Sequence, residues 1–501
     1  MTASSLLART ARGAAWVVSW RAATRLLGLG STLVLVRLLR PADFGLVALA
    51  TGFASAIDAF SVIGVEEALI RAETSDRAML DTGFTLNVLR GLITAALVAA
   101  LAFPAAAFFA EPVLAPMLLA LAAGAAAEGA ENIGVVQFRR DMAFEREFFY
   151  LILPRILGIL AAIGTAWATR GPWALVAGIL TTRLLRVALS YRVHPYRPRV
   201  SLAAWRPLVP YSLWSWGVGL AMLLRDRADS VLIGRLLGPE AVGLYAVGAE
   251  IAALPTTELV EPLARAAFSG FAAERRAGVS PGPGYLRLIA SMALLTVPAG
   301  VGLALVAGPL VAVAFGPGWA AAVPVVRILG VAGTAMVFGG LAAHLLSAHG
   351  ILVPLLRAVL AGLALRVALL AALLMPFGLP GGAASAGLAI AMEQGATMWL
   401  ACRRFGVRLR DVLAAIWRCL AATAAMAAVL GISGLGWEGG MLSLLAGAGV
   451  GAAVYAAALA ALWLLAGRPA GAEADLWAML LATLLATLRR IRASTGRAKP
   501  R

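Results

Sequence analysis

The sequence predicts an all-α polytopic membrane protein of about 14 transmembrane helices, built as two parallel six-helix bundles with two extra C-terminal helices. Three observations predict it. Apolar residues fill 61% of 501 positions, charged residues only 13%, and mean hydropathy is +0.90. A soluble protein of this length needs far more polar surface. Runs of about 20 apolar residues recur along the whole chain. The decapeptide Arg37-Leu-Leu-Arg-Pro-Ala-Asp-Phe-Gly-Leu46 returns as Arg235-Leu-Leu-Gly-Pro-Glu-Ala-Val-Gly-Leu244. Each copy closes one apolar stretch and opens the next, as expected of two related halves.

Segmentation on hydropathy places the spans near 13–36, 43–68, 82–110, 113–138, 147–168 and 172–191. The first is too long for a signal peptide and lacks a clear small-residue cleavage site, so it reads as an uncleaved span. After a linker come 208–234, 240–264, 286–314, 320–346, 351–374, 381–401, 412–432 and 440–466. The breaks at His349-Gly350 and Pro376–Gly382 are short and uncharged. The expected organisation is a first bundle over 1–193, a cytoplasmic linker over 194–207, a second bundle over 208–401, two further spans over 402–466, and a tail over 467–501. In the tail, Trp477, Leu480, Leu481, Leu484, Leu485 and Leu488 recur at helical spacing before Arg489, Arg490 and Arg492. That pattern suits an interfacial helix on the cytoplasmic leaflet.

Charge placement sets the orientation. With the N-terminus in the cytoplasm, the outer loops hold only Arg37, Arg40, Arg170 and Arg235, and more than half of the 42 basic residues lie inside. The positive-inside bias therefore puts both termini in the cytoplasm. It also accounts for the net charge of +17 without nucleic acid. Six spans separate the two decapeptides, so both lie on the outer side and the halves run in the same direction. A site is then expected between the halves.

Other classes find little support. No stretch shows the ten-residue alternation of an outer-membrane barrel. Cys402 and Cys419 form no framework, and His194, His344 and His349 have no metal-ligand spacing, so no metal or cofactor is expected. The 53 glycines read as close helix packing. Pro104, Pro154, Pro210, Pro255, Pro298, Pro309, Pro324 and Pro354 interrupt apolar segments where helices could bend.

Several blocks carry a family resemblance. The stretches Arg37-Leu-Leu-x-Pro-x-Asp-Phe-Gly45, Gly64-Val-Glu-Glu-Ala-Leu-Ile-Arg71, Phe138-Arg-Arg-Asp-Met-Ala-Phe144 and Asp229-Ser-Val-Leu-Ile-Gly-Arg-Leu-Leu-Gly238 occur in this order. Together they resemble bacterial polysaccharide exporters of the Wzx type, in the multidrug/oligosaccharidyl-lipid/polysaccharide exporter superfamily. The resemblance implies two bundles around a central cavity. It also implies flipping of undecaprenyl-diphosphate-linked oligosaccharides from the cytoplasmic to the outer leaflet of the bacterial inner membrane.

Such a head group cannot cross hydrocarbon bare, since burying an unpaired ion costs tens of kcal/mol on Born estimates. Ionisable residues inside spans are the natural candidates to shield it. Arg21 and Arg25 share one face of the first span at i, i+4, and an arginine fork matches phosphate oxygens bidentately. Arg225 and Arg227 cluster with Asp226 and Asp229 in span seven, where local ion pairing competes with ligand binding. Asp58, Glu128, Glu131, Asp229, Glu250 and Glu393 are the intramembrane acids, open either to ion coupling or to simple pairing with arginines such as Arg90, Arg155, Arg183 and Arg186. Arg37, Pro41 and Gly45, with Arg235, Pro239 and Gly243, read as a structural turn repeated in each half.

The expected partners are the lipid-linked oligosaccharide, membrane lipids, and polysaccharide polymerase and export machinery, with a monomeric state and no nucleic acid. The competing readings are a drug or lipid II exporter of the same superfamily and an integral-membrane glycosyltransferase or ligase. The last usually needs a sizeable outer loop with acids or arginines. Every outer loop here is short, so the reading is a transporter and not an enzyme.

Overall fold

The computed structural model describes residues 3–60, 69, 76–141, 143–205, 212–435, 440–469 and 471–476. The block Gly64–Arg71, apart from Leu69, and the expected interfacial helix beyond Leu476 lie outside the described residues, as do the side chains of Arg21, Arg225 and Asp226. The described residues are mostly helical, with no strand among them. The helices are α1 (Ala3–Leu38), α2 (Pro41–Phe60), α3 (Arg77–Phe109), α4 (Leu114–Gly129), α5 (Val136–Arg140), α6 (Phe144–Thr169), α7 (Trp173–Val193) and α8 (Ser212–Arg276). They continue with α9 (Gly282–Leu305), α10 (Ala307–Ala314), α11 (Val323–Gly333), α12 (Met336–Ala348), α13 (Leu352–Phe405), α14 (Leu409–Ser433) and α15 (Met441–Leu465).

Two helices are too long to be single spans. At 1.5 Å per residue, α8 and α13 would measure roughly 98 and 81 Å against a hydrocarbon core of about 30 Å. Each is broken at one glycine, Gly238 (φ 82°, ψ 178°) and Gly378 (φ 59°, ψ −142°). Both conformations are essentially closed to residues with a Cβ, and both fall where hydropathy predicts an outer loop. Among the described residues, eight helices are long and apolar enough to cross a membrane, or up to ten when each of two bent pairs counts as one span. The breaks are consistent with the fourteen expected spans.

The chain divides into two compact units, 1–246 with 314–318, and 247–313 with 319–501. In the first unit, small residues let helices cross closely. A Cβ added to Gly91 on α3 would lie 2.8 Å from the Gly129 Cα on α4, and one added to Gly178 on α7 would lie 2.8 Å from the Gly158 carbonyl oxygen on α6. Leu35 of α1 and Leu39 just past its end pack against Ala162 and Ala166 of α6 and Ala174 of α7. Nearer the other end of that contact, the Trp16 and Phe148 rings meet at 5.2 Å.

The duplicated decapeptides meet each other inside this unit. Pro41 begins α2 and Pro239 follows the Gly238 break, both at a first helical position that needs no N–H donor. Four residues on, Gly45 and Gly243 face one another reciprocally. A Cβ on Gly45 would sit 1.7 Å from the Pro239 carbonyl oxygen, and a Cβ on Gly243 would sit 1.8 Å from that of Pro41. In the first copy, the Asp43 carboxylate accepts the Arg40 backbone N–H at 2.9 Å.

The fourth span bends by 66° between α4 and the turn leading into α5. A helix broken at membrane depth needs its exposed backbone groups satisfied again. Here neighbouring side chains do so. Tyr191 donates to the Ala130 carbonyl at 2.8 Å, Ser190 accepts the Asn132 N–H at 3.0 Å, and the Asn132 carboxamide accepts the Gly134 N–H at 3.0 Å.

The second unit has a core of Phe271, Tyr285, Ile289, Leu341, Leu345 and Leu346, all nearly or fully buried. The eleventh and twelfth helices meet at a 44° bend. Past α15, the Glu473 carboxylate is gripped by Arg418 at 2.7 Å and Asp475 by Arg287 at 2.7 Å. These pairs pin residues 472–476 to α9 and α14.

Candidate functional site

The first unit stores its charges where α2, α3, α4 and α7 converge. Asp58 on α2 accepts from Arg90 at 2.8 Å and from the Thr94 hydroxyl at 3.2 Å, both on α3. Glu128 near the end of α4 pairs with Arg183 at 3.2 Å and with Arg186 on α7. Arg186 also reaches Glu131 at 2.8 Å, and the Tyr150 hydroxyl of α6 donates to the same carboxylate. Sequence spacing puts Glu128 and Glu131 at i, i+3 of one helix. In the structure the helix ends at Gly129, and Arg186 bridges the break. A polar cavity of about 50 Å³ is lined by Ser55, Asp58, Arg90, Thr94, Glu128 and Arg183. The close crossing at Gly91 and Gly129 is what brings Arg90 and Glu128 to this cavity.

Arg186 holds two carboxylates, so its loss is expected to be costly. These side chains are 18–30% exposed. The cost should fall between the ~0–1 kcal/mol of a surface pair and the ~3–5 kcal/mol of a buried charge left alone. Arg186→Ala is expected to lower the thermal midpoint of the detergent-solubilised protein by several degrees. Arg186→Lys should recover only part of it, because one ammonium cannot match two carboxylates as a fork does. An unshifted midpoint in the alanine variant counts against the network.

The remaining candidates are dispersed. Arg25 is half-buried on α1. Arg227 on α8 lies across α2, its guanidinium 3.6 Å from where a Cβ on Gly52 would stand. Asp229 is buried and accepts from the Tyr245 hydroxyl, a contact within α8 across the Gly238 break. Arg37 and Arg235 are exposed, and Arg235 lies 5.6 Å over the Phe108 ring. In the second unit, Glu250 is exposed, whereas Glu393 is buried against Gly362. Among the described residues no cluster of His, Cys, Asp or Glu could hold a metal.

Sequence reasoning missed the tyrosines. Tyr150, Tyr196 and Tyr245 donate to Glu131, Asp81 and Asp229 respectively. The available signal was a phenol within or beside an apolar span that also carries an acid, since a buried hydroxyl needs a partner.

The linker is tied down from His194 to Ala204. Tyr196 and the Arg199 N–H both bond the Asp81 carboxylate, Ser201 N–H bonds the Thr85 hydroxyl, and Ala204 N–H bonds that of Thr82. Burial and the bond to Asp81 push the Tyr196 phenol above its usual range. The His194 ring contacts Gln137 through Nε2 at 3.0 Å and accepts the Tyr196 N–H at Nδ1, 3.2 Å. Burial, with Arg197 beside it, holds His194 below its usual value, against a smaller opposing pull from Asp141. A folded pKa below the unfolded value of ~6.5 means that the undocked chain binds the proton first. Docking is therefore fully supported above about pH 6.5 and weakens as pH falls below it. The protection of the Tyr196 amide against hydrogen exchange, taken relative to its intrinsic rate at each pH, is expected to fall between pH 7 and 5, and His194→Gln should remove that dependence.

Long apolar helices, two bent pairs among them, with ion pairs held between them, define a polytopic membrane protein. Its fold is similar to that of the lipid II flippase MurJ in an inward closed conformation, with a TM-score of 0.73 over 90% of this chain and 100% of that one at 12% identity. It is also similar to an inward-facing multidrug resistance MATE family transporter of the MOP superfamily, with a TM-score of 0.59 over 76% and 94% of the two chains at 15% identity. The chain belongs to the polysaccharide biosynthesis protein family, which matches residues 34–324, more than half its length. It is 25% identical over 339 residues to the lipopolysaccharide biosynthesis protein WzxC of Escherichia coli K12, covering 66% of this chain and 68% of that protein. It is 24% identical over 320 residues to the succinoglycan biosynthesis transport protein ExoT of Rhizobium meliloti, covering 64% and 65%. The chain thus spans about two thirds of the length of these relatives.

Proposed function

We propose that the protein carries undecaprenyl-diphosphate-linked oligosaccharide repeat units from the cytoplasmic to the outer leaflet of the bacterial inner membrane, for O-antigen, capsule or exopolysaccharide synthesis. The observation that carries the reading is the family match over residues 34–324 in a chain that keeps arginines inside its membrane-crossing helices. Cations offered along the path replace the water that a diphosphate loses in hydrocarbon. Arg25 and Arg227 are the described side chains assigned to that task, with Arg21 and Arg225 beside them in sequence. The isoprenoid tail needs no such help. An apolar groove of about 490 Å³ in the second unit, lined by Leu294, Pro298, Leu303, Met426, Leu430 and Tyr455, suits such a chain. In an inside-negative membrane, moving two negative charges outward releases about 4.6 kcal/mol per 100 mV. The potential alone can therefore supply a drive.

The positive-inside bias supports cytoplasmic placement of both termini, and the proposed partners are a polysaccharide polymerase and export machinery. Depleting the protein in its host should accumulate the lipid-linked repeat unit on the inner leaflet and stop polysaccharide export. Unchanged export, with no accumulated intermediate, is the result that rejects the function. Single cysteines after Pro195, Gly278 and Arg404 should label only from the cytoplasmic side. Outside labelling at Gly278 would overturn the parallel repeat.

A further inference from the structure

The contact between α1 and α6 is apolar at both ends and charged in the middle. Leu35 and Leu39 meet Ala162 and Ala166 toward one end, and Trp16 and Trp20 meet Phe148 toward the other. Between them, the Arg155 guanidinium from α6 lies 3.4 Å from where a Cβ on Gly28 of α1 would stand. A larger residue at position 28 would occupy the space that this guanidinium uses.

Arg155 does not face lipid. Residues 155, 162 and 166 are spaced seven and four apart, which puts them on one helix face, and Ala162 and Ala166 on that face are buried against α1. The exposed side chains Leu153, Leu157 and Leu160 mark the opposite face. Yet Arg155 is itself exposed. A side chain that points toward a packed neighbour and still reaches solvent-sized space lies in a crevice between the two helices. From the Thr169 end of α6 it lies roughly 21 Å along the axis, and Arg25 lies roughly 20 Å from the Leu38 end of α1. Both are therefore near mid-span, and Gly28 is one helical turn from Arg25. Arg155 takes part in none of the ion pairs among the described residues, whose acids are held by Arg77, Arg90, Arg139, Arg183 and Arg186 in this unit. A guanidinium kept at mid-span without a carboxylate is costly unless an anion visits it.

We propose that Arg155 and Arg25 form an anion-binding position in the crevice between α1 and α6, and that it takes the diphosphate of the transported lipid. Gly28 is the gap that admits the Arg155 fork. This rests on the transport reading above and adds a contact from α6 to it. Two forks on facing helices can each offer paired N–H donors to one phosphate group.

The test uses the full chain in lipid nanodiscs, with native mass spectrometry of undecaprenyl diphosphate and of neutral undecaprenol as probes. The wild type should bind the diphosphate more tightly. Arg155→Met, which keeps length and removes charge, should weaken diphosphate binding about tenfold or more, as expected for lost hydrogen bonds to a charged group, and leave undecaprenol unchanged. Arg155→Lys should fall between and serves as the folding control. Wild-type diphosphate affinity in Arg155→Met, alongside weakened binding in Arg25→Met, overturns this proposal and leaves the transport reading intact. Equal binding of diphosphate and undecaprenol by the wild type would instead remove the transport reading. Equal weakening for both probes in Arg155→Met marks a structural role only and also overturns the proposal.

Discussion

Gly45→Val is expected to remove most of the folded protein from the membrane, and Gly243→Val to do the same. The reason is contact with backbone, which cannot rotate aside as a side chain can. Even the first carbon of a new side chain would overlap the partner turn, at 1.7 Å from the Pro239 carbonyl oxygen or 1.8 Å from that of Pro41. Overpacking a well-filled site costs about 1–3 kcal/mol when neighbours can shift. Here the neighbours are two turns already fixed by proline, so the cost should lie at the upper end or beyond. Gly45→Ala alone should lower folded yield severalfold, read by fluorescence size-exclusion of a tagged protein. Gly30→Ala is the internal control, since nothing lies within 4 Å of a Cβ there, and its yield should match the wild type. The protein that survives Gly45→Ala should keep its activity per molecule. Full yield with an altered sugar preference would instead move these turns into the transport site.

Arg25→Ala should give the opposite pattern, with normal abundance and export reduced more than tenfold. The side chain is half-buried near mid-span of α1, where a cation is costly and is kept only for a partner or a ligand. Abundance is read beside export, so that a folding loss from the contacts Arg25 makes is told apart from a loss of transport. On the proposed transport reading, the diphosphate would lose a bidentate donor at the depth where hydration is weakest. Arg25→Lys should restore part of the export, because charge returns without the fork. Normal polysaccharide output from a variant with both Arg21 and Arg25 replaced by alanine would sink the assignment. Abundance and specific activity thus separate the two glycines from the arginine in one set of measurements.

Much of the fold was legible in the sequence because membrane helices are dictated by local chemistry. A run of about 20 apolar residues has nowhere else to go, and the helix is the state that satisfies its own backbone. That is why the short breaks at Gly350 and Gly378 could be placed without a charge to mark them. The candidate site was legible only as an inventory. Asp58, Glu128 and Glu131 stand out as acids in apolar spans, yet their separations from Arg90, Arg183 and Arg186 along the chain range from 32 to 58 residues. No local pattern connects them.

By itself, then, the sequence determined which segments are helices, where proline and glycine stop them, and that one turn is used twice. These follow from hydropathy, from a missing N–H and from a missing Cβ, each a property of a residue and its neighbours in the chain. Tertiary structure alone decided that the two turns press against each other at Gly45 and Gly243, that Arg186 bridges the break after α4, and that Arg155 enters the gap at Gly28. Those pairings depend on how closely helices cross, which is set by small residues meeting across an interface. A linear pattern records the small residues but not which of them will meet.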